Sequence, residues 1–139
     1  MVAEYIHKVQ YYETDKMGVT HHSNYLRIME EARTDFLEKI GYSYDRMEKE
    51  EIFSPVVSIS CDFKKPTTYA DFVKVDVDIV ELSAVKIKFR YIMKVNSDVV
   101  FTATSTHCCL NKKGKVISLK REKPEVYELF KKFLKIEEI

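Results

Sequence analysis

Regular alternation between apolar and polar residues is the feature of this chain that most limits the folds open to it. It occurs in the segments 57–64, 73–79 and 85–95, where every odd-numbered residue is apolar. Successive side chains of a β-strand point to opposite faces, so each segment is predicted to be a strand with one buried face and one wet face. A turn at Asn96–Asp98 leads into a fourth strand, Val99–Leu110. Because short turns join antiparallel neighbours, the sheet is predicted to be antiparallel.

Two further segments are predicted to extend this sheet. Tyr5–Tyr12 is rich in β-branched and aromatic residues, which favour strands. Val116–Leu119 follows a turn at Asn111–Gly114 and is expected to return along the sheet as a short strand. The predicted sheet therefore has about five to six strands.

One long segment changes to a helical period. From Asn24 to Ile40, apolar residues recur at spacings of three and four, and charged residues, Arg33 among them, stand mostly off that stripe. Ser23 is the expected N-cap, and Gly41 is the glycine that ends the helix. A helical turn is expected within 42–54, and a second helix is expected to start at Pro124. One long amphipathic helix against one antiparallel sheet predicts a two-layer α+β domain.

Composition narrows the expected partners and cofactors. The 139 residues fit one domain, and 23 Lys and Arg against 22 Asp and Glu give no reason to expect nucleic acid. No apolar run approaches the roughly 20 residues of a membrane span, and the N-terminus is too polar for a signal peptide, so a cytoplasmic protein is predicted. The three cysteines lack zinc spacing and the three glycines form no phosphate loop. We expect no metal and no cofactor.

The predicted sheet also favours self-association. Its strands are long for a domain of this size, and one helix can cover only part of such a sheet. An unprotected sheet edge invites pairing with another chain. A symmetric homodimer that joins two sheets edge to edge removes two edges together, and a tetramer of two such dimers is the next assembly expected.

The stretch YYETDKMGVTHHSNYLRIMEEAR, Tyr11–Arg33, holds the candidate chemistry. Asp15 stands in a loop before the helix, where an aspartate commonly forms a turn hydrogen bond. A catalytic interpretation is also open, because the N-terminus of a helix presents unpaired N–H groups that stabilise a developing oxyanion. A carboxylate beside it can act in acyl transfer as a general base on water or as a nucleophile. Gly18 would let the backbone approach a bulky ligand.

Histidines and cysteines offer two further candidate sites. Adjacent loop residues are expected to point apart, so His21 and His22 should not chelate one metal. His107 and Cys109 share one face of a predicted strand and could form a Cys–His pair. A role in the core is the commoner one for a free cysteine.

The same stretch resembles the signature of the hotdog-fold acyl-CoA thioesterases, specifically the 4-hydroxybenzoyl-CoA thioesterase and YbgC-like group. In that pattern an aspartate is followed by two residues, a glycine, a short loop with a histidine or tyrosine, and Asn-Tyr at the start of the central helix. The matching residues here are Asp15, Gly18, His22, Asn24 and Tyr25. A second block, FKKPTTYADFVKVDVDI, Phe63–Ile79, resembles the family's proline turn and the strand after it.

The resemblance implies a hotdog fold, in which an antiparallel sheet wraps a long central helix and extends across a dimer. It implies hydrolysis of an acyl-CoA thioester to a free acid and CoA, with Asp15 as the catalytic carboxylate. His22 would supply the backbone N–H that polarises the thioester carbonyl, and its imidazole would orient water or the thioester. The histidine at this position resembles the YbgC-like members, whereas a tyrosine at this position is typical of the 4-hydroxybenzoyl enzyme.

Four residues are candidates for substrate binding. Gly18 and Tyr25 belong to the motif, so the resemblance implies that they line the substrate site. Lys86 and Lys88 lie on the polar face of one predicted strand, where they would either contact the CoA phosphates or form a solvated strand face.

Two other functions stay open on the sequence. A hotdog dehydratase or hydratase acting on hydroxyacyl thioesters would pair His22 with an acidic residue of the helix, Glu30 or Glu31. A non-catalytic module that binds acyl thioesters is the other alternative.

Overall fold

The computed structural model describes residues 2–136, which form a five-stranded sheet and four α-helices. A 3-10 turn, Tyr11–Glu13, lies between the first strand and the first helix. In chain order the elements are β1 (Tyr5–Lys8), α1 (Ser23–Ile40), α2 (Tyr44–Lys49), β2 (Val56–Phe63), β3 (Phe72–Leu82), β4 (Lys86–Val95), β5 (Asp98–Cys108), α3 (Leu119–Glu122) and α4 (Pro124–Lys132).

All neighbouring strands of the sheet are antiparallel, and their order is β1-β3-β4-β5-β2. The strands β3, β4 and β5 follow one another as a meander, while β1 and β2 form the two edges. The period-two segments thus lie in β2, β3 and β4. The predicted antiparallel α+β architecture is confirmed, and the sheet has five strands.

The predictions of two strands, Tyr5–Tyr12 and Val116–Leu119, are partly wrong. The strand expected over Tyr5–Tyr12 stops at Lys8, because the Glu13 carboxylate accepts a hydrogen bond from the Gln10 amide and closes the 3-10 turn. Val116 makes only an isolated bridge to Leu110. Downstream of it, the Ser118 hydroxyl accepts from the Arg121 amide and caps α3, so a helix follows in place of a strand.

The apolar stripe of α1 forms the centre of the core against the sheet. Its buried apolar residues are Tyr25, Ile28, Met29, Ala32, Phe36, Leu37 and Ile40. Gly41 ends the helix with φ +97°, the left-handed conformation that favours glycine. The predicted N-cap is wrong, since His22 is the residue before the helix and the Ser23 hydroxyl bonds instead to Nδ1 of His21.

The two shorter predicted helices are confirmed. The turn expected within 42–54 is α2, and α4 begins at Pro124 as predicted. Within residues 2–136, no helix combines the length and apolarity needed to cross a membrane. The cytoplasmic location expected from the sequence stays a prediction.

The β2 edge of the sheet carries an apolar surface. Val57, Ile59 and Phe63 of this strand are all exposed. The opposite edge, β1, has four residues, and Ile6 is its one exposed large apolar side chain. Short strands with charged residues are protected against pairing, whereas an exposed apolar edge is not.

Candidate active site

Asp15 lies in a tight loop between β1 and α1. Its amide donates to the Val19 carbonyl at 2.8 Å, and the Gly18 amide donates back to the Asp15 carbonyl at 2.9 Å. One carboxylate oxygen, Oδ1, accepts from the Met17 amide at 2.8 Å, which is the turn bond expected of a loop aspartate. No donor within residues 2–136 bonds to the other oxygen, Oδ2. The carboxylate is thus fixed through one oxygen and open to a ligand through the second.

The amide of His22 is unpaired at the start of α1. The neighbouring amides are occupied, because His21 N donates to the Glu13 carbonyl, Ser23 N to His21 Nδ1 and Asn24 N to the His21 carbonyl. For His22 N, the described chain offers no acceptor. The backbone of His22 is itself helical, with φ −54° and ψ −30°. This N–H therefore stands at the positive end of the helix dipole, ready to donate to an oxygen of a ligand.

The turn before β3 holds this loop against the core. Thr20 donates its amide to the Thr67 carbonyl at 2.8 Å, and the two hydroxyls lie 2.6 Å apart. The Thr68 hydroxyl donates to the Gly18 carbonyl at 2.7 Å. Both threonines belong to the Phe63–Ile79 block that carries the second part of the resemblance. The two segments that carry the resemblance are therefore in contact in the folded chain.

Gly18 is required by the backbone of this loop. Its φ is +82°, a conformation that side chains rarely adopt. A Cβ atom placed there would meet nothing within 4 Å, so within this chain the requirement is conformational and not steric. The open space beside it is available to a ligand.

Tyr25 takes a different place from the one expected of a substrate-binding residue. It is 3% exposed, and its ring stacks on Phe101 with centroids 4.8 Å apart. Its hydroxyl lies 3.0 Å from the Thr67 hydroxyl. Tyr25 therefore connects the core to the turn that holds the Asp15 loop.

The structure places Lys86 and Lys88, the candidates for contact with the CoA phosphates, far from the Asp15 loop within one subunit. The Asp15 loop lies near the start of β3, and Val73 in that start pairs with Val95 at the end of β4. Lys88 is seven residues before Val95 and Lys86 nine, which is about 23 and 30 Å along an extended strand. Both lysines are thus at the far end of the sheet. Lys88 has Glu81 at 3.8 Å, as on a solvated strand face.

The two adjacent histidines lie side by side instead of pointing apart. The ring centroids of His21 and His22 are 4.2 Å apart with a tilt of 32°. Nδ1 of His21 is 2.8 Å from the Ser23 hydroxyl. Even so, no group of three or more potential metal ligands occurs among residues 2–136. His22 remains exposed beside the open amide.

A histidine between two glutamates supports the loop, and sequence reasoning missed it. His7 Nε2 is 2.8 Å from Glu13 Oε1, and His7 Nδ1 is 3.1 Å from Glu31 Oε2. Glu13 is buried, and its carboxylate also accepts from the Gln10 amide at 2.7 Å. The spacing of Gln10 and Glu13, which fits a capping box, was the one signal in the sequence.

His107 and Cys109 are buried and do not form a reactive pair. Burial, with a smaller effect of the Arg33 charge, lowers the pKa of His107 from 6.5 to about 4. Nε2 of His107 is 2.8 Å from the Ser105 hydroxyl. Burial raises the pKa of the Cys109 thiol to about 11, which suppresses the nucleophilic thiolate. A place in the core, the commoner role of a free cysteine, agrees with this burial.

Comparison with known proteins reveals related sequences and structures. A model of the Thioesterase-like superfamily matches residues 9–134. YneP of Bacillus subtilis, which carries the provisional name of an acyl-CoA thioesterase, is 35% identical over 127 residues, or 90% of this chain and 92% of YneP. The acyl-CoA thioesterase YbgC of Haemophilus influenzae is 25% identical over 105 residues, or 75% of this chain and 77% of YbgC.

A solved structure agrees with these sequence matches. The DHNA-CoA thioesterase from Staphylococcus aureus superposes with a TM-score of 0.89 at 32% identity. The superposition covers 94% of this chain and 89% of that one. The resemblance drawn from the Asp15 motif and the predicted hotdog fold are both confirmed.

Proposed function

The chain belongs to the Thioesterase-like superfamily and is a thioester hydrolase, and from this premise we propose that it hydrolyses an acyl-CoA to a free carboxylic acid and CoA. The relatives YneP and YbgC, named as acyl-CoA thioesterases, support this choice of substrate. One observation carries the assignment of the site. The loop that leads into α1 carries Asp15, whose carboxylate has an open oxygen, and it ends at His22, whose amide has no acceptor among residues 2–136.

The proposed reaction uses these two groups on opposite sides of the thioester carbonyl. The His22 N–H donates to the carbonyl oxygen and stabilises the negative charge that develops there. Asp15 removes a proton from water as the water oxygen attacks the carbonyl carbon. The tetrahedral intermediate then expels the CoA thiolate, which takes the proton from Asp15. Gly18 leaves room for the thioester, and the exposed His22 imidazole can orient the water.

Direct attack by Asp15 is the other route that the same groups allow. The carboxylate would then form an acyl anhydride, which water hydrolyses in a second step. A single turnover in labelled water separates the two routes. Label appears in the Asp15 carboxylate only if that carboxylate attacked carbon.

The proposed active form is a homodimer joined through β2, with a tetramer of two dimers as the further assembly. The exposed apolar residues of β2 and the shortness of β1 support pairing at the β2 edge. In such a dimer the acyl group would lie between the subunits. Lys86 and Lys88 lie far along the sheet from Asp15, and a contact of either lysine with the CoA phosphates stays a prediction.

No observation favours the dehydratase alternative. The Glu31 carboxylate accepts a hydrogen bond from the Tyr5 hydroxyl at 2.8 Å and also contacts His7. Both of its partners belong to β1, so this carboxylate is already paired within the chain. Glu30 is exposed on α1. Loss of water from a 3-hydroxyacyl thioester would be the result that supports that alternative.

The test is release of free thiol from CoA thioesters with short, medium, long and aromatic acyl groups. Wild type should release thiol from part of this panel, and Asp15→Asn should lower kcat/KM by roughly a hundredfold or more. Asp45→Asn is a matched control, because Asp45 is exposed on α2 and pairs only with Lys49 at 3.0 Å. Equal, near-zero rates in wild type and Asp15→Asn across the panel would support a non-catalytic module instead.

A further inference from the structure

Arg33 is a buried cation without an acidic partner among residues 2–136. Its side chain lies on α1 and the residue is 6% exposed. Nε donates to the Tyr44 hydroxyl at 2.7 Å, and Nη1 donates to the Tyr91 hydroxyl at 3.0 Å. Among residues 2–136, no carboxylate forms an ion pair with this guanidinium. Arginine stays charged in proteins and a buried charge without a counter-ion is costly, so the position favours an anionic ligand.

A chain of hydrogen bonds fixes the direction of this guanidinium. The Tyr91 hydroxyl, which accepts from Arg33, lies 2.6 Å from the Ser105 hydroxyl. That hydroxyl in turn lies 2.8 Å from Nε2 of His107. One direction of donation, from Arg33 through Tyr91 and Ser105 to His107, satisfies every hydroxyl. The cation is therefore held in advance of any ligand, which lowers the cost of binding.

Arg33 lines a cavity of about 540 Å³ between α1, α2 and the segment that leads into β2. Met47 and Ile52, both buried, and Pro55 supply apolar wall, while Thr34 and Ser54 add hydroxyls. The volume is that of a small-molecule site, and such sites combine apolar walls with a few fixed polar groups. This combination fits an apolar chain that ends in an anionic group.

The cavity lies along α1 from the proposed oxyanion site. Arg33 is 11 positions after His22, which is about 16 Å of helix and within about 20° of three full turns. Both residues therefore lie on the same side of the helix. Leu26, between them on that side, is an exposed apolar residue. Since helical side chains lean toward the N-terminus, the guanidinium comes closer to His22 than the Cα spacing implies.

We propose that this cavity receives the distal end of the acyl group and that Arg33 pairs with a carboxylate there, so that the substrate class is ω-carboxyacyl-CoA. The inference rests on the proposed function, because it needs the thioester to bind at His22. It adds a specificity-determining residue to the proposed pair of Asp15 and His22. The acyl chain would pass Leu26 and enter between α1 and α2.

Two carboxylates line the same cavity and oppose this pairing. Glu30 and Glu48 are both exposed, so water screens their charge, whereas Arg33 is buried. Each of these two carboxylates should therefore weaken the binding of an anionic acyl end. Removal of a repelling carboxylate should strengthen the preference for an anionic acyl end.

The test compares matched pairs of substrates on the full chain. Adipoyl-, suberoyl- and sebacoyl-CoA are measured against hexanoyl-, octanoyl- and decanoyl-CoA, which have the same chain lengths and end in methyl groups. For at least one length, kcat/KM should favour the carboxylate by about tenfold or more, as for a hydrogen bond to a charged group. Hydrolysis without that preference at every length overturns this inference alone. Hydrolysis of none of the six also overturns this inference, whereas the proposed function fails only if the short, long and aromatic substrates of the wider panel release no thiol either.

Two variants assign the preference to Arg33. Arg33→Gln should remove the preference for the carboxylate while methyl-ended substrates are still hydrolysed, and a retained preference overturns the assignment. Because Arg33→Gln can also unfold the protein, Glu30→Gln provides a surface change that spares the core. At low salt it should raise the preference about two- to fivefold. A preference that is unchanged or lower in Glu30→Gln contradicts the proposal.

Discussion

The side-chain amide of Asn24 donates a hydrogen bond to the Glu13 backbone carbonyl at 2.9 Å, and this bond joins the first turn of α1 to the segment just before Asp15. The same carbonyl accepts from the His21 amide at 2.8 Å. Asn24 is buried, so its side-chain amide cannot bond to water instead of this carbonyl. The two groups proposed to act on the thioester are therefore held relative to one another by a residue that contacts neither.

Replacing Asn24 should reduce both stability and activity. Asn24→Ala leaves the buried Glu13 carbonyl with one donor fewer, at a cost of about 1–3 kcal/mol in the free energy of unfolding. It also frees the loop, so kcat should fall more than substrate affinity. Ser23→Ala is the neighbouring control, because the Ser23 hydroxyl contacts only the exposed His21 ring. Denaturant unfolding and thiol release measure the two effects, and full activity in a destabilised Asn24→Ala would refute the positioning role.

Gly18→Ala and Gly114→Ala form a matched pair that separates strain from function. Their φ angles are +82° and +77°, and a Cβ at either place meets nothing within 4 Å. Each substitution should therefore cost about 1–2 kcal/mol of stability from the left-handed backbone alone. Only Gly18 belongs to the proposed site, so only Gly18→Ala should lower kcat/KM beyond the loss of folded protein. Equal activity in the two variants would show that Gly18 serves the backbone alone.

The repeating patterns of the sequence were sufficient to predict most of the fold. Period two located β2, β3 and β4 to within a few residues. In β3 and β4 the apolar face packs on the core, whereas the apolar residues Val57, Ile59 and Phe63 of β2 are exposed. The Tyr11–Glu13 turn could not be predicted in this way, since its tyrosines also suit a strand. What bends the chain there is the set of bonds made by Glu13, and those bonds depend on tertiary structure.

The candidate site was predictable only where it is local in sequence. Asp15, Gly18 and His22 lie within one loop, in which the Gly18 amide bonds to the Asp15 carbonyl. Arg33 looked like a charge on the wet side of α1, because its partner Tyr91 is 58 residues away and no spacing reveals it. The place of Lys86 in the sheet was unpredictable for the corresponding reason, since the end of the sheet that it occupies depends on strand pairing.

His107 should make the protein less stable as pH falls from 6.5 toward 4. Its pKa is about 4 in the folded chain against an ordinary 6.5, so in this range the unfolded chain binds a proton that the folded chain does not. The stabilisation is complete above pH 6.5 and decreases by at most about 3 kcal/mol by pH 4. His107→Gln should flatten this part of the profile, whereas the exposed His21→Gln should not. Denaturant unfolding at several pH values gives the slopes, and parallel profiles for wild type and His107→Gln would contradict the assignment.

The assembly proposed for the active form predicts different results at the two edges of the sheet. Ile59 on β2 and Ile6 on β1 are both exposed, at 41% and 52%, and both lie on edge strands. If the sheets join through β2, Ile59→Lys buries a charge in the interface and should yield monomers, whereas Ile6→Lys should leave the dimer intact. Sedimentation velocity at several concentrations distinguishes these states.

Because the acyl group is proposed to lie between subunits, Ile59→Lys should also lose thioesterase activity while its helical circular dichroism is retained. A fully active Ile59→Lys monomer would place the whole site within one chain, and dissociation by Ile6→Lys alone would move the interface to β1.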